Sequence, residues 1–92
     1  MSTTENTIPV TLSVQAPPGS HVYAAGDFND WRSDTVPMVD IENNGTFQVS
    51  LNLAKGSYEY KFIINGIWCA DPNCPRWNRN LYGSLNSVLD VE

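Results

Sequence analysis

The chain has 92 residues, of which 41% are hydrophobic, and its ten acidic and five basic residues give a net charge of −5. This length fits one domain around one small core, and no apolar run comes near the roughly 18 residues that would span a bilayer as a helix. The negative charge repels nucleic acid and anionic membranes, so a neutral ligand is favoured over either of these partners.

The first residues, from Met1 to Thr7, are polar and lack the basic and apolar regions of a secretory signal. We therefore predict a flexible tail over residues 1–7, a single domain over residues 8–92 and a cytoplasmic location.

Apolar and polar residues alternate with the period of two that marks a half-buried strand. The pattern predicts strands over residues 8–15, 21–25, 36–41, 47–53, 58–64, 67–69 and 86–91. Pro37 interrupts the third of these and places it at a sheet edge. Asn43-Asn44-Gly45 and Asn65-Gly66 indicate hairpin turns, and residues 27–35 and 70–85 are predicted loops.

About seven short strands without a helical period predict an all-β, immunoglobulin-like antiparallel sandwich. The predicted core consists of inward positions on these strands: Val10, Leu12, Phe47, Val49, Leu51, Tyr60, Phe62 and Leu89. The residues that alternate with the core face outward. Lys61 lies between inward Tyr60 and Phe62, and Asn86 precedes the inward Leu89 by three residues, so both face outward.

Two tryptophans, Trp31 and Trp68, follow turn signals and do not lie inside an alternating run. Exposed rings of this kind suit a ligand with a flat apolar face, such as a sugar ring, whose hydroxyl groups need polar partners such as Lys61. Structural explanations stand beside this one. The tryptophans also fit core positions. Lys61 also fits the role of a solvated charge on a strand, and Asn86 also fits the role of a cap at the start of a strand.

Cys69 and Cys74 are separated by four residues. Three states of this pair remain open: two reduced thiols, a local disulfide, or part of a metal site. A metal site needs two further ligands, and His21 is the only histidine.

Four carboxylates, Asp27, Asp30, Glu59 and Asp71, are candidates for a glycosidase pair. Turn formation explains the three aspartates, and so small a domain has little room for a cleft that would raise the pKa of a carboxylic acid. We therefore predict that the protein is not an enzyme and needs neither a cofactor nor a metal ion.

Four ordered segments resemble a known family. They are Ala25-Gly26-Asp27-Phe28-Asn29-Asp30-Trp31, Gly56-Ser57-Tyr58-Glu59-Tyr60-Lys61-Phe62, Gly66-Ile67-Trp68 with Asp71-Pro72, and Gly83-Ser84-Leu85-Asn86-Ser87-Val88-Leu89. They closely resemble the family 48 carbohydrate-binding modules, which include the glycogen-binding domain of the AMP-activated protein kinase beta subunit and the N-terminal domains of isoamylases and glycogen branching enzymes. The resemblance covers about residues 10–91.

The resemblance implies an early-set immunoglobulin-like sandwich that binds α-1,4-linked glucans such as glycogen, starch and malto-oligosaccharides. Carried over by motif, Trp31 and Trp68 correspond to the stacking aromatics, Lys61 to the charged hydrogen-bond donor and Asn86 to the amide that fixes sugar hydroxyls. Ser84 stands where the kinase modules place a threonine that contacts the sugar.

Tyr82 departs from the family pattern, because the kinase modules place there an aliphatic residue that enters the ring of a cyclic glucan. It either adds a third stacking surface or blocks a tight loop of glucan. Trp77 and the two cysteines are not part of the motif, and their roles stay open.

A second function belongs to a different class. Amino-terminal domains of glycogen-debranching enzymes share this fold but often pack on a catalytic domain instead of binding sugar. The alternative is therefore a protein-interaction adaptor that packs on a glycogen-metabolising enzyme or a kinase subunit.

Overall fold

A computed structural model of the protein describes residues 7–92. Its strands, numbered in chain order, are β1 Thr7–Gln15, β2 Val22–Gly26, β3 Thr46–Ala54, β4 Gly56–Ile64, β5 Ile67–Cys69, β6 Trp77–Arg79 and β7 Leu85–Val91. Residues 7–92 contain no helix, and so none long and apolar enough to cross a membrane. The strands form antiparallel sheets that pack on each other, which confirms the predicted all-β sandwich.

Of the predicted tail, residues 1–6 lie outside the described residues, and Thr7 is the first residue of β1.

The central strand of the larger sheet, β4, determines where the outward side chains meet. β1 and β3 form the smaller sheet, and β2, β4, β7 and β6 follow one another across the larger sheet. Tyr60 of β4 lies opposite Gly26 on one side and opposite Ser87 on the other. The pairing of β7 with β4 ends there, and β5 takes the same side of β4 from Phe62 onward. Lys61 therefore lies at the junction between β5 and β7.

The core lies between the two sheets, where the buried side chains are Leu12, Val14, Val22, Ala24, Met38, Phe47, Tyr60 and Phe62. Within the predicted core, Leu12, Phe47, Tyr60 and Phe62 are buried, but Val10, Val49, Leu51 and Leu89 are only partly buried. The prediction is wrong for this second group. A sheet of only two strands cannot cover the whole larger sheet, and its own margins stay open to solvent.

The predicted third strand over residues 36–41 is wrong. Pro37 pairs with Tyr23 of β2, and Val39 pairs with Gln48 of β3, each as an isolated bridge. The segment crosses from the larger to the smaller sheet, so it follows neither for long, and Pro37 has no N–H to donate to a ladder. Met38, between the two bridges, is 5% exposed, so the crossing segment contributes to the core.

The loop predicted over residues 70–85 contains the short strand β6. It pairs with the first residues of β7, so that Asn78 lies opposite Asn86. Leu85 also belongs to β7, one residue earlier than predicted. The pattern missed β6 because an exposed edge strand of three residues has no buried face that would produce alternation.

The predicted hairpin at Asn65-Gly66 joins β4 to β5. Both residues have positive φ angles, 51° and 85°, as a type I′ turn requires. The turn brings Trp68 back along β4, opposite Ile63.

Cys69 and Cys74 are free thiols. The Cys74 Sγ lies 3.1 Å from the carbonyl oxygen of Arg76 and 3.2 Å from that of Val88, and the Cys69 Sγ lies 3.7 Å from that of Phe62. Burial raises the pKa of the Cys69 thiol. Among residues 7–92, no group of three or more His, Cys, Asp or Glu side chains is placed to hold a metal ion.

Candidate functional site

One open cleft of about 530 Å³ brings all six predicted site residues together. It lies on the outer face of the larger sheet, beside the junction of β5 and β7. Its lining consists of Trp31, Lys61, Trp68, Asn80, Tyr82, Ser84 and Asn86. Asn80 is the member of this set that the sequence did not predict.

Lys61 faces this cleft because its neighbour on β4, Tyr60, points into the core with 3% of its surface exposed. The Lys61 Nζ donates a hydrogen bond to the Oγ of Ser84 at 2.9 Å. The ion pair found within residues 7–92 joins Arg76 and Asp90. The ammonium group of Lys61 therefore has no carboxylate partner in this part of the chain.

Asn86 is held by hydrogen bonds at both ends of its amide. Its Nδ2 donates to the Oε1 of Glu59 at 3.0 Å, and its Oδ1 accepts from the Nδ2 of Asn80 at 3.1 Å. The Oε2 of Glu59 accepts from the Nδ2 of Asn78 on β6 at 3.2 Å. Asn86 is only 7% exposed, so it offers the cleft an amide edge of fixed orientation.

Trp31 is positioned by the turn that follows β2. Gly26 brings β2 so close to β4 that a Cβ atom there would lie 2.3 Å from the carbonyl oxygen of Glu59. The Oδ1 of Asp27 accepts the indole N–H of Trp31 at 3.0 Å, and its Oδ2 accepts the backbone N–H of Glu59 at 2.8 Å. The Oδ1 of Asn29 accepts the backbone N–H of Gly26 at 3.0 Å. These contacts fix the indole of Trp31 relative to β4.

Trp68 rests on an apolar part of the outer face. Ile63 of β4 lies between Tyr23 of β2 and Trp68 of β5 in the strand register. Although it points outward, Ile63 is only 5% exposed, as expected for a residue with an aromatic neighbour directly opposite on each adjacent strand. Trp68 keeps 44% of its own surface exposed. One side of the indole is thus supported, and the rest of the ring remains open for a ligand.

The segment between β6 and β7 forms a tight loop that Asn80 closes. The Oδ1 of Asn80 accepts the backbone N–H groups of Tyr82 and Ser84 at 2.9 and 3.1 Å, and the Asn80 backbone N–H donates to the Ser84 carbonyl at 2.8 Å. Gly83 takes the positive φ of 83° that the reversal requires. Tyr82, 93% exposed, lies at the tip of this loop.

The sequence carried a partial signal for Asn80. An asparagine that precedes a glycine by a few residues is typical of a turn in which the side chain bonds the following backbone. Its contact with Asn86, however, joins the loop to a strand residue, and such a contact depends on the folded arrangement. Asn80 was therefore recognisable as a turn residue but not as part of the cleft.

Three of the four carboxylates considered for catalysis take part in structural contacts, and the fourth, Asp30, lies in the turn after β2 with a positive φ of 58°. Asp27 and Glu59 support the turn at Trp31 and the amide of Asn86, as described above. The Oδ2 of Asp71 accepts the phenol O–H of Tyr60 at 2.7 Å. Burial, together with this hydrogen bond, raises the pKa of Tyr60 well above its usual value, so the phenol remains a donor.

The cleft combines the aromatic faces of Trp31, Trp68 and Tyr82 with the polar groups of Lys61 and Ser84. Flat apolar faces beside a few oriented donors and acceptors suit reversible binding of a ligand that has both apolar faces and hydroxyl groups.

Comparison with known proteins identifies the family. The family described as the glycogen recognition site of AMP-activated protein kinase matches residues 8–92. Over 74 residues, or 80% of the chain, the sequence is 35% identical to 5'-AMP-activated protein kinase subunit beta-1 of Sus scrofa and of Homo sapiens, and 34% identical to subunit beta-2 of Mus musculus. The matched region is 57% of the Sus scrofa protein and 26% of each of the other two, so the chain spans less than two thirds of these relatives. The predicted resemblance is confirmed: the chain belongs to the family of glycogen recognition sites of AMP-activated protein kinase, a group of carbohydrate-binding modules.

Proposed function

We propose that the chain binds α-1,4-linked glucans, such as glycogen, starch and malto-oligosaccharides, and does not act on them chemically. The observation that carries this proposal is the convergence of Trp31 and Trp68 with Lys61 and Asn86 on one open cleft. Membership of a glycogen-recognition family independently supports an α-glucan as the ligand.

Stacking on the tryptophans supplies most of the affinity. Each stacked indole sheds water from its own face and from the apolar face of a sugar, for roughly 1–2 kcal/mol. Lys61 and Asn86 add about 1 kcal/mol each, because their hydrogen bonds to sugar replace bonds to water. The entropy lost on association offsets much of this sum, so the Kd for a short glucan is on the order of micromolar to millimolar.

The proposed ligand is curved because the two stacking rings come from separate elements. Trp31 belongs to the turn after β2, and Trp68 belongs to β5. Rings held independently are expected to lie in different planes, and a chain with the curvature of the α-1,4 helix can follow both. A flat glucan can lie against only one.

We propose no catalysis because the four carboxylates considered for it, Asp27, Asp30, Glu59 and Asp71, are not among the residues that line the cleft. Asp27, Glu59 and Asp71 each accept bonds that hold the fold together, and an acid and base pair needs groups free to exchange protons with the substrate.

We propose a cytoplasmic location and, since the relatives are subunits of a protein kinase, a kinase subunit as the protein partner. In the alternative function, the chain is an adaptor that packs on this kinase subunit without binding sugar.

A titration of the protein with maltoheptaose or β-cyclodextrin, followed by calorimetry and by tryptophan fluorescence, tests the proposal. We expect a saturable change with a Kd on the order of micromolar to millimolar, and we expect glycogen to carry the protein into the pellet on ultracentrifugation. If neither soluble glucan nor glycogen binds at millimolar concentration, the proposal is wrong and the adaptor function remains.

A further inference from the structure

The side chain of Asn80 has only one possible orientation. The backbone N–H groups of Tyr82 and Ser84 both donate to one end of its amide, at 2.9 and 3.1 Å, so this end must be the oxygen. The amide nitrogen therefore faces the Oγ of Ser84 at 2.6 Å and the Oδ1 of Asn86 at 3.1 Å. Each of its two hydrogens has one acceptor.

The orientation of Asn86 follows from the same reasoning. The carboxylate of Glu59 only accepts hydrogen bonds, so the end of the Asn86 amide that faces it, at 3.0 Å, must be the nitrogen. The oxygen of Asn86 then faces the nitrogen of Asn80, which agrees with the assignment reached from the other end of the network.

These fixed ends determine the direction of the hydrogen bonds at Ser84. Its Oγ receives one bond from the ammonium group of Lys61 at 2.9 Å and another from the amide of Asn80 at 2.6 Å. A hydroxyl group has one hydrogen and two lone pairs. Both lone pairs are used by these donors, so the Ser84 hydroxyl hydrogen is the group left for a ligand.

We propose that Asn80 is a positioning residue of the cleft that makes the Ser84 hydroxyl a hydrogen-bond donor to the sugar. Lys61 has two further N–H groups beyond the one that bonds Ser84. This end of the cleft therefore recognises a sugar oxygen through its lone pairs: a ring oxygen, a bridging oxygen or a hydroxyl whose own hydrogen points elsewhere. The inference rests on the proposed glucan binding, and it adds that Ser84 is the donor and the sugar oxygen the acceptor in this contact.

The substitution Asn80→Asp separates the two roles of this side chain. The carboxylate keeps an oxygen that can close the loop with Tyr82 and Ser84, but it loses both N–H donors and instead accepts the hydroxyl hydrogen of Ser84. The Oδ1 of Asn86 also loses its donor, so we expect the melting temperature to fall by a few degrees. We expect the affinity for maltoheptaose to fall about tenfold. Asn52→Asp is the control for added charge, because Asn52 is exposed on β3 in the smaller sheet, and it should leave the affinity within about twofold.

A double-mutant cycle with Ser84→Ala tests whether Asn80 acts through the Ser84 hydroxyl. In the Ser84→Ala background, Asn80→Asp should cost about threefold or less, since the hydroxyl that it orients is gone. A loss of equal size in both backgrounds would show that Asn80 acts by another route, and would overturn the proposal.

A further test uses the parent protein and changes the ligand instead of the chain. Maltotriose analogues in which one hydroxyl at a time is replaced by hydrogen or by fluorine are titrated in parallel. Fluorine accepts a hydrogen bond weakly and cannot donate one. Where the acceptor that meets Ser84 is a hydroxyl oxygen, the analogue fluorinated at that position should therefore bind more tightly than the deoxy analogue. This preference should disappear in Ser84→Ala.

The two proposals fail in different ways. If the parent binds malto-oligosaccharides but Asn80→Asp costs equal affinity in the parent and in the Ser84→Ala background, the inferred role of the Ser84 hydroxyl as a donor is wrong and glucan binding stands. If the parent binds no malto-oligosaccharide, glucan binding is wrong, and the role of Asn80 toward a sugar is wrong with it.

Discussion

Trp31 and Trp68 are held in different ways but should contribute equally to glucan affinity. Replacing either with alanine removes an aromatic face worth about 1–2 kcal/mol, so the affinity for β-cyclodextrin should fall by about tenfold. Trp77→Ala is the matched control, because Trp77 is 57% exposed and does not line the cleft. Calorimetric titration of the three variants checks this, with thermal unfolding to show that each remains folded. If both cleft variants stay folded and hold glycogen as tightly as the parent, stacking is not the mechanism.

The ring of Tyr82 is either a third stacking surface for the glucan or an obstruction to its binding, and substitutions of Tyr82 distinguish the two. Its ring is 93% exposed and lines the cleft, so burying it against a sugar would gain apolar contact at little structural cost. We expect Tyr82→Ala to weaken maltoheptaose binding by about fivefold, whereas Tyr82→Phe should leave it unchanged because the ring is retained. Tighter binding of β-cyclodextrin by Tyr82→Ala would instead identify the ring as an obstruction.

A substitution in the turn after β2 should change both the stability of the larger sheet and the position of Trp31. A Cβ at position 26 would lie 2.3 Å from the carbonyl oxygen of Glu59 and 2.8 Å from the Cβ of Tyr60, so Gly26→Ala must push β2 away from β4. Overpacking of this kind costs about 1–3 kcal/mol, which corresponds to a fall in melting temperature of roughly 4–8 °C per kcal/mol. The variant should also bind glucan more weakly, because Trp31 moves with the turn.

Gly19→Ala is the control for Gly26→Ala. Gly19 has a φ of 90°, and a Cβ atom at this position would have no neighbouring atom within 4 Å, so alanine there introduces backbone strain without a clash. It should lower the melting temperature and leave the glucan affinity unchanged. Loss of affinity in both variants would show that general destabilisation, and not the position of Trp31, explains the result.

The segment after Trp68 should not depend on a disulfide. Cys69 and Cys74 are free thiols, and burial keeps the pKa of Cys69 above its usual value. Addition of a thiol reductant should therefore change neither the melting temperature nor the glucan affinity. A drop of several degrees on reduction would reveal a stabilising disulfide in solution.

The alternation of apolar and polar residues explains how much of the molecule was predictable. It located β4 and β7, and with them the outward face that carries Lys61 and Asn86. Turn signals favoured surface positions for Trp31 and Trp68, because each follows a turn and does not lie inside an alternating run. The motif resemblance implied sugar-binding roles for these residues, whereas their arrangement around one cleft was not predicted and is seen only in the structure.

Features that depend on contacts between distant segments were not predictable. The crossing of residues 36–41 between sheets replaces a regular strand by isolated bridges at Pro37 and Val39, which no local pattern distinguishes from an edge strand. The role of Asn80 was missed for a different reason. Its partners Ser84 and Asn86 lie only four and six residues along the chain, but the hydrogen bonds depend on how the loop after β6 turns back toward β7.

Selectivity for curved glucans tests the cleft as a whole. If Trp31 and Trp68 stack on rings of one chain, the protein should bind glycogen, amylose and β-cyclodextrin, with little or no binding to cellulose, whose flat chain meets only one ring. Incubation with glycogen should release no reducing sugar, since no carboxylate is among the residues that line the cleft. Co-sedimentation with each polysaccharide and a reducing-end assay provide the measurements. Equal retention on cellulose and glycogen would mean that the aromatic faces act as a nonspecific apolar surface, and the curvature argument would then be wrong.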